Sequence, residues 1–174
     1  LGLDLDKLNN DENASHLKFK LRKSISQHVK LAFGTDYFIT RFNEDFTPNS
    51  GFGGTSGYNS SIAAAFAEGD ILFTKNFAAK VGVRASCNDL LDETAVAPRV
   101  SLAYKLNKTS QFSFAYGDFT QAPSVDFIKY SKMHQFESEK ASHYILNFQY
   151  NNDRQTFRAE AYYKDYSNLV KFNT

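Results

Sequence analysis

The side chains of this chain that could do chemistry are few and scattered. Its histidines are His16, His28, His134 and His143, and its single cysteine is Cys87. Met133-His134 with Glu137 and Glu139 is the densest group of potential ligands and could touch a metal ion or a haem. It lacks the close pairing of His, Cys or carboxylate that a metal site needs, so solvated connection residues are the favoured reading. Gly51-Phe52-Gly53-Gly54 carries no following Lys-Ser/Thr and no strand-to-helix context, which excludes a phosphate loop. No nucleophile elbow is present. No catalytic, cofactor-binding, metal-binding or ligand-binding residue is therefore assigned, no cofactor is expected, and the chain is not read as an enzyme. Cys87 has no internal disulfide partner and reads as incidental, in a connection. Asn13-Ala14-Ser15, Asn59-Ser60-Ser61 and Asn107-Lys108-Thr109 are glycosylation acceptors only in a eukaryotic secreted protein, which nothing else supports.

What positions these residues is β-structure. Of 174 residues, 20 are basic and 19 acidic, a net charge of +1 that argues against a nucleic-acid partner. Seventeen Phe and ten Tyr with three Pro and one Met favour strands over helices. Alternation of apolar and polar residues predicts strands at 14–23, 28–42, 58–74, 77–86, 99–106, 111–119, 139–150 and 156–167. The connections alternate in length. Tight links fall at 24–27, 75–76, 107–110 and 151–155, and long ones at 43–57, 87–98 and 120–138. A barrel with short turns at one end and long loops at the other has that rhythm. The expected fold is all-β, an antiparallel up-and-down meander of about eight strands, part of a transmembrane β-barrel. Residues 1–174 show no linker and read as one domain.

Each strand has one apolar parity. Leu17, Phe19 and Leu21 stand against Lys18, Lys20 and Arg22, and Val100, Leu102 and Tyr104 against Arg99, Ser101 and Lys105. The third strand is the weakest, because Ala63-Ala64-Ala65 is also compatible with a helix. Shared parity of Ala63, Ala65, Ala67 and Ile71 favours a strand, with Gly69 marking a bulge. Asn and Asp in the tight links, such as Asn76, Asn107 and Asp153, suggest left-handed turn backbone. Alternation does not say which parity faces inward. A lipocalin-type soluble barrel hides the apolar side around a ligand, whereas a membrane barrel turns it outward. Tyr37, Tyr104, Tyr116, Tyr150 and Tyr163 lie on the apolar parity, several toward strand ends, as an aromatic girdle requires. No run of eighteen apolar residues exists, so no transmembrane helix is expected.

The segment from Ala97 to Pro123 resembles the barrel of TonB-dependent outer-membrane receptors. The resemblance rests on Pro98-Arg99 opening a strand, a short turn, and an aromatic strand ending in Gly117, Phe119, Gln121 and Pro123. Ser138-Glu139-Lys140 leading into His143–Tyr150, and Glu160–Lys164 running to Leu169, match the same register. Coverage is specific over residues 58–172. The resemblance implies a barrel of 22 strands plugged by an N-terminal domain in a Gram-negative outer membrane. It implies TonB-energised uptake of a scarce ligand such as a metal chelate, haem, cobalamin or glycan. The implied partners are outer-membrane lipid, an extracellular small-molecule or glycan ligand, and the TonB complex reached through an N-terminal part. Pro98, Arg99, Gln121 and Pro123 read as shaping strand ends. The start at Leu1-Gly2-Leu3-Asp4 without a signal peptide, and the end at Phe172-Asn173-Thr174, suggest a fragment of a longer chain. The alternatives are a soluble eight-strand ligand-binding barrel of lipocalin type and a passive porin-like or adhesive barrel.

Overall fold

The computed structural model describes residues 7–48, 52–124 and 137–170. Strict alternation over these residues produces eight strands: β1 (Lys7–Ser24), β2 (Val29–Thr47), β3 (Gly54–Leu72), β4 (Phe77–Asn88), β5 (Glu93–Lys105), β6 (Ser110–Gln121), β7 (Glu139–Asn152) and β8 (Gln155–Ser167). They form one antiparallel sheet in chain order, open between β1 and β8. Every residue of these two edge strands is exposed. The Ala63-Ala64-Ala65 run is strand, because β2 and β4 supply hydrogen bonds on both sides that outweigh the helical preference of alanine.

Three expectations are corrected. The connection expected at 87–98 shrinks to Asp89–Asp92, and much of 43–57 is strand. Its polar composition reads as loop, but Lys7↔Thr47 and Phe46↔Gly54 pair in unbroken register. Cys87 therefore lies in β4, opposite Ala63 and Thr94. Gly69 is not a bulge either: Leu31, Gly69 and Val81 pair one to one across three strands.

Three of the four tight turns close by a different device from the one expected. Ser26 Oγ accepts from the N–H groups of His28 and Val29, both at 3.1 Å. Thr74 Oγ1 accepts from Asn76 and Phe77 at 3.2 and 3.0 Å. Asn107 Oδ1 accepts from Thr109 and Ser110 at 2.9 and 2.8 Å. All three turns thus use a side-chain oxygen to hold the N–H groups two and three residues on. Left-handed non-glycine backbone occurs among the described residues only at Asp92 and Asn168, outside these turns.

Burial separates the two faces. On β2, Ala32, Gly34, Asp36, Phe42 and Glu44 are buried, while Leu31, Phe33, Tyr37 and Ile39 alternate with them and are exposed. A single-layer sheet lowers accessibility on the face toward which it curls, so the polar parity is inward and the apolar parity outward. Outward aromatic residues meet across strands. Tyr144 faces Tyr116 and Tyr163 with ring centroids 5.0 and 6.0 Å apart. Phe77, Tyr104, Phe112 and Phe148 are likewise directly opposed on β4 to β7.

Candidate functional site

The inward face carries the charged side chains, and their partners are set by register. Asp36 on β2 sits opposite Lys18 on β1, whose ammonium lies 3.6 Å away. His16 Nε2 is 3.3 Å from the same carboxylate oxygen, and its ring stacks on Phe38 at 3.8 Å. Arg84 reaches Asp36 from β4, two strands away, with Nη1 donating to Oδ2 at 2.5 Å. Strands lie about 4.8 Å apart, so this pair spans roughly 10 Å of sheet. The inward residue of β3 between them is the buried Ala64, which leaves the guanidinium a path. Asp36, 4% exposed, thereby has three cationic or ionisable partners, as a buried carboxylate requires.

A second cluster is built by glycine. Arg99, Gly117 and His143 are directly opposed on β5, β6 and β7. Phe119 folds over Gly117, where a Cβ would come within 3.3 Å of its ring. The ring lies 4.8 Å from the Arg99 guanidinium and 4.7 Å from the His143 ring. The arrangement recurs at Gly34, covered by Phe66 from β3 with the Lys20 ammonium 5.5 Å from that ring. A Cβ at Gly34 would block the approach, one at Gly117 would crowd it by a few tenths of an ångström, and both aromatic rings present their faces to a cation.

Between the two clusters the inward face hollows into a recess of 330 Å³ lined by Arg84, Arg99, Phe119, Glu93, Asn88 and Ser138 among others. Glu93 closes one side by accepting from the Ser138 N–H at 2.7 Å, with the Lys140 ammonium 3.8 Å away. Nearby, Asp89 in the β4–β5 turn accepts from the Ser61 N–H at 2.5 Å and the Ser61 hydroxyl at 2.8 Å. Those bonds, the backbone one foremost, lower its carboxyl below the usual range despite some desolvation. The recess offers the Arg99 guanidinium, the Arg84 guanidinium already bonded to Asp36, the Glu93 carboxylate and an aromatic wall, chemistry suited to holding a polar group.

Of the histidines singled out in the sequence, His16 and His143 join these clusters and His28 lies in a turn. Met133 and His134 lie outside the described residues, as does Gly51. Glu137 accepts from Asn168 Nδ2 at 2.9 Å, and Glu139 from the Val170 N–H at 3.4 Å, tying the start of β7 to the residues that follow β8. The Thr94 hydroxyl lies 3.5 Å from Cys87 Sγ. Among the described residues no three His, Cys, Asp or Glu side chains group as metal ligands. Arg99, Gly117 and Phe119, singled out for their spacing, are in mutual contact. Asp36 carried no sequence signal beyond its polar parity, and Glu93 fell within the connection expected at 87–98.

An antiparallel meander with apolar residues outward and paired charges inward defines a barrel of the outer-membrane type. The chain belongs to the TonB dependent receptor-like, beta-barrel family, whose model matches residues 3–174. No curated protein matches it. Among solved structures, a mutant of the ferric enterobactin receptor PfeA of Pseudomonas aeruginosa is similar at a TM-score of 0.74 and 16% identity, over 94% of this chain and 28% of that one. The ferric yersiniabactin uptake receptor FyuA of Yersinia pestis is similar at 0.73 and 16%, over 93% and 30%. The FrpB iron transporter of Neisseria meningitidis is similar at 0.65 and 13%, over 89% and 28%. The chain thus spans less than a third of the length of these structures. The family and these neighbours are transport receptors rather than enzymes, and the lipocalin alternative is not favoured.

Proposed function

We propose that this chain is part of the barrel wall of a Gram-negative outer-membrane receptor that takes up a scarce ligand with energy delivered through TonB. The observation that carries this reading is the segregation of the faces. Leu31, Phe33, Tyr37 and Ile39 are exposed, while Asp36 on the same strand is buried among cations. Apolar outward positions continue for about 11 residues on several strands, the length that crosses a bilayer. At about 3.3 Å per residue, the 19 residues of β2 and of β3 extend roughly 60 Å. Tilted by about 45°, they rise roughly 44 Å, which exceeds the ~30 Å hydrocarbon core, so these strands reach past the apolar layer. A plug domain contributed by another part of the protein faces the inward charges, and residues 1–174 form one continuous section of barrel wall.

Within this class an anionic metal chelate, a ferric siderophore foremost, suits the Arg84 and Arg99 recess better than haem, cobalamin or a neutral glycan. The ferric ligands named for PfeA and FyuA support that choice. The test is uptake of radiolabelled iron in cells expressing the full-length protein as their sole ferric-siderophore receptor, with and without TonB. Uptake that requires both is expected. Uptake of cobalamin or a glycan, with none of ferric chelates, overturns the ligand assignment, and TonB-independent passage overturns the mechanism.

A further inference from the structure

Beside the recess the inward face sinks again, into a hollow of 140 Å³. Its charged lining comes from five strands: Lys18 and Lys20 on β1, Asp36 on β2, Glu68 on β3, Arg84 on β4 and Arg99 on β5. Arg84 and Arg99 line the recess as well, so the two spaces share a wall. Glu68, Gly82 and Arg99 are directly opposed, which puts glycine on the floor between an acid and a base. A Cβ at Gly82 would stand 3.1 Å from Glu68 Cγ, and a longer side chain would project into the hollow.

The charges of this lining do not cancel. Lys18 and Arg84 share the one carboxylate of Asp36. Lys20 stands 4.0 Å from Glu68. Arg99 forms no ion pair among the described residues and stands against the Phe119 ring instead. Four cations thus face two carboxylates, an excess of two positive charges. Arg84 donates to Asp36 through Nη1 alone, and a guanidinium has five N–H donors. Cations gathered in this way repel one another unless an anion stands between them. At about 30 Å³ per water the hollow holds roughly five waters, room for one tetrahedral oxyanion but not for a metal chelate. The planar fork of arginine donates paired hydrogen bonds to such a group. A doubly charged ion also matches the excess, which chloride or a single carboxylate does not. We propose that this hollow binds one inorganic oxyanion, phosphate or sulfate, between Lys18, Lys20, Arg84 and Arg99 over Gly82. The ion ties β1 to β4 and β5. This site goes beyond the uptake reading and rests only on the inward placement of the polar parity.

The test uses the full-length protein in detergent, with binding of radiolabelled inorganic phosphate read by equilibrium dialysis. Saturable binding is expected, displaced by sulfate and about tenfold less well by acetate, the worth of one hydrogen bond to a charged group. The thermal unfolding midpoint should rise with phosphate and not with sodium chloride of equal ionic strength. Lys20→Gln and Arg99→Gln should each weaken phosphate about tenfold, and Gly82→Val should abolish its binding. Lys30→Gln removes the same charge elsewhere on the inward face and should leave binding unchanged. Since Gly82→Val crowds Glu68, the Lys20 variant decides the matter if that protein does not fold. No saturable binding, or binding untouched by Lys20→Gln and Arg99→Gln, overturns the proposal. An equal loss in Lys30→Gln also overturns it, because the attraction would then be a diffuse field. So does acetate displacing phosphate as well as sulfate does, which would assign the hollow to a carboxylate such as one from the plug. Iron uptake is not the readout, so failure here leaves the uptake reading standing, and failure of uptake leaves this site.

Discussion

The Arg99 guanidinium stands 4.8 Å from the ring of Phe119, which reaches it only by lying across Gly117. Arg99 and Gly117 are opposed on neighbouring strands, so the cation, the vacant glycine face and the ring form one unit. The spacing that made these residues recognisable in the sequence is thus the spacing of a contact. Pro98 itself points outward on β5, opposite Val83.

Gly117→Val places methyl groups where the Phe119 ring and the Arg99 stem lie, since a Cβ at this position already stands 3.3 Å from each. Displacement of the ring should cost about 1–3 kcal/mol by overpacking. Phe119→Ala in the same background should recover part of that loss, because it removes the obstructing ring. Thermal unfolding of the full-length protein in detergent reads both, and a Gly117→Val midpoint equal to wild type would contradict the contact.

Ala64→Leu should block the path by which Arg84 crosses β3 to Asp36. Loss of a hydrogen bond between charged groups costs about 1.5–3 kcal/mol. Ala63→Leu, one residue away but outward, should be close to neutral in detergent. Denaturant midpoints of the two variants, compared in one detergent, test whether residue 64 is a passage rather than filler.

Val81→Arg and Ser101→Arg provide a test of the faces. Val81 is outward and 42% exposed, whereas Ser101 is inward on the neighbouring strand. A charge on a lipid-facing strand near the bilayer centre costs about 2–4 kcal/mol. Val81→Arg should therefore reduce folding into vesicles sharply, while Ser101→Arg folds almost as wild type. The opposite ranking would restore the soluble-barrel alternative.

The Asp89 turn should loosen in acid. Its carboxyl is lowered by the Ser61 hydrogen bonds, so its stabilising contribution is fully present above the ordinary carboxylate range. That contribution is lost as pH falls through the depressed folded-state value. Relative to the intrinsic exchange rate at each pH, protection of the Ser61 amide should fall in acid more than that of Ala79 in mid-strand. Asp89→Asn should remove most of that difference, and an unchanged pH profile in the variant would count against the pairing.

Asn107→Ala removes the acceptor for two N–H groups of the β5–β6 turn. A loss of about 1–2 kcal/mol is expected, and Asn107→Asp should retain most of the stability because it keeps the oxygen. Asn107→Gly, which frees the backbone without restoring the acceptor, should not rescue. Rescue by glycine would point instead to the left-handed turn that the sequence suggested.

Much of the fold was legible because strand alternation is local. Leu17, Phe19 and Leu21 against Lys18, Lys20 and Arg22 declare a two-sided strand without any knowledge of a partner. The strand ends were not legible in the same way. Residues 43–47 and 54–57 are rich in Asn, Asp, Ser and Gly, and only pairing with β1 and with each other keeps them extended. Cys87 was misplaced for the same reason: the four-residue Asp89–Asp92 turn lets β4 and β5 run past it. The Asp36 cluster was invisible, since its partners His16, Lys18 and Arg84 come from two other strands.

By itself the sequence determined the number and order of strands, their two-faced character, and the signature at Arg99, Gly117 and Phe119 that marks the family. These depend on a side-chain period of two and on residue types near one another in the chain. Only the tertiary structure decided that the polar parity is the inward one, how far each strand extends, which charges meet, and that the turns close on Ser26, Thr74 and Asn107. Those outcomes depend on cross-strand register and on the curl of the sheet. Both are set by hydrogen bonds and packing between residues tens of positions apart, which alternation along a single strand does not encode.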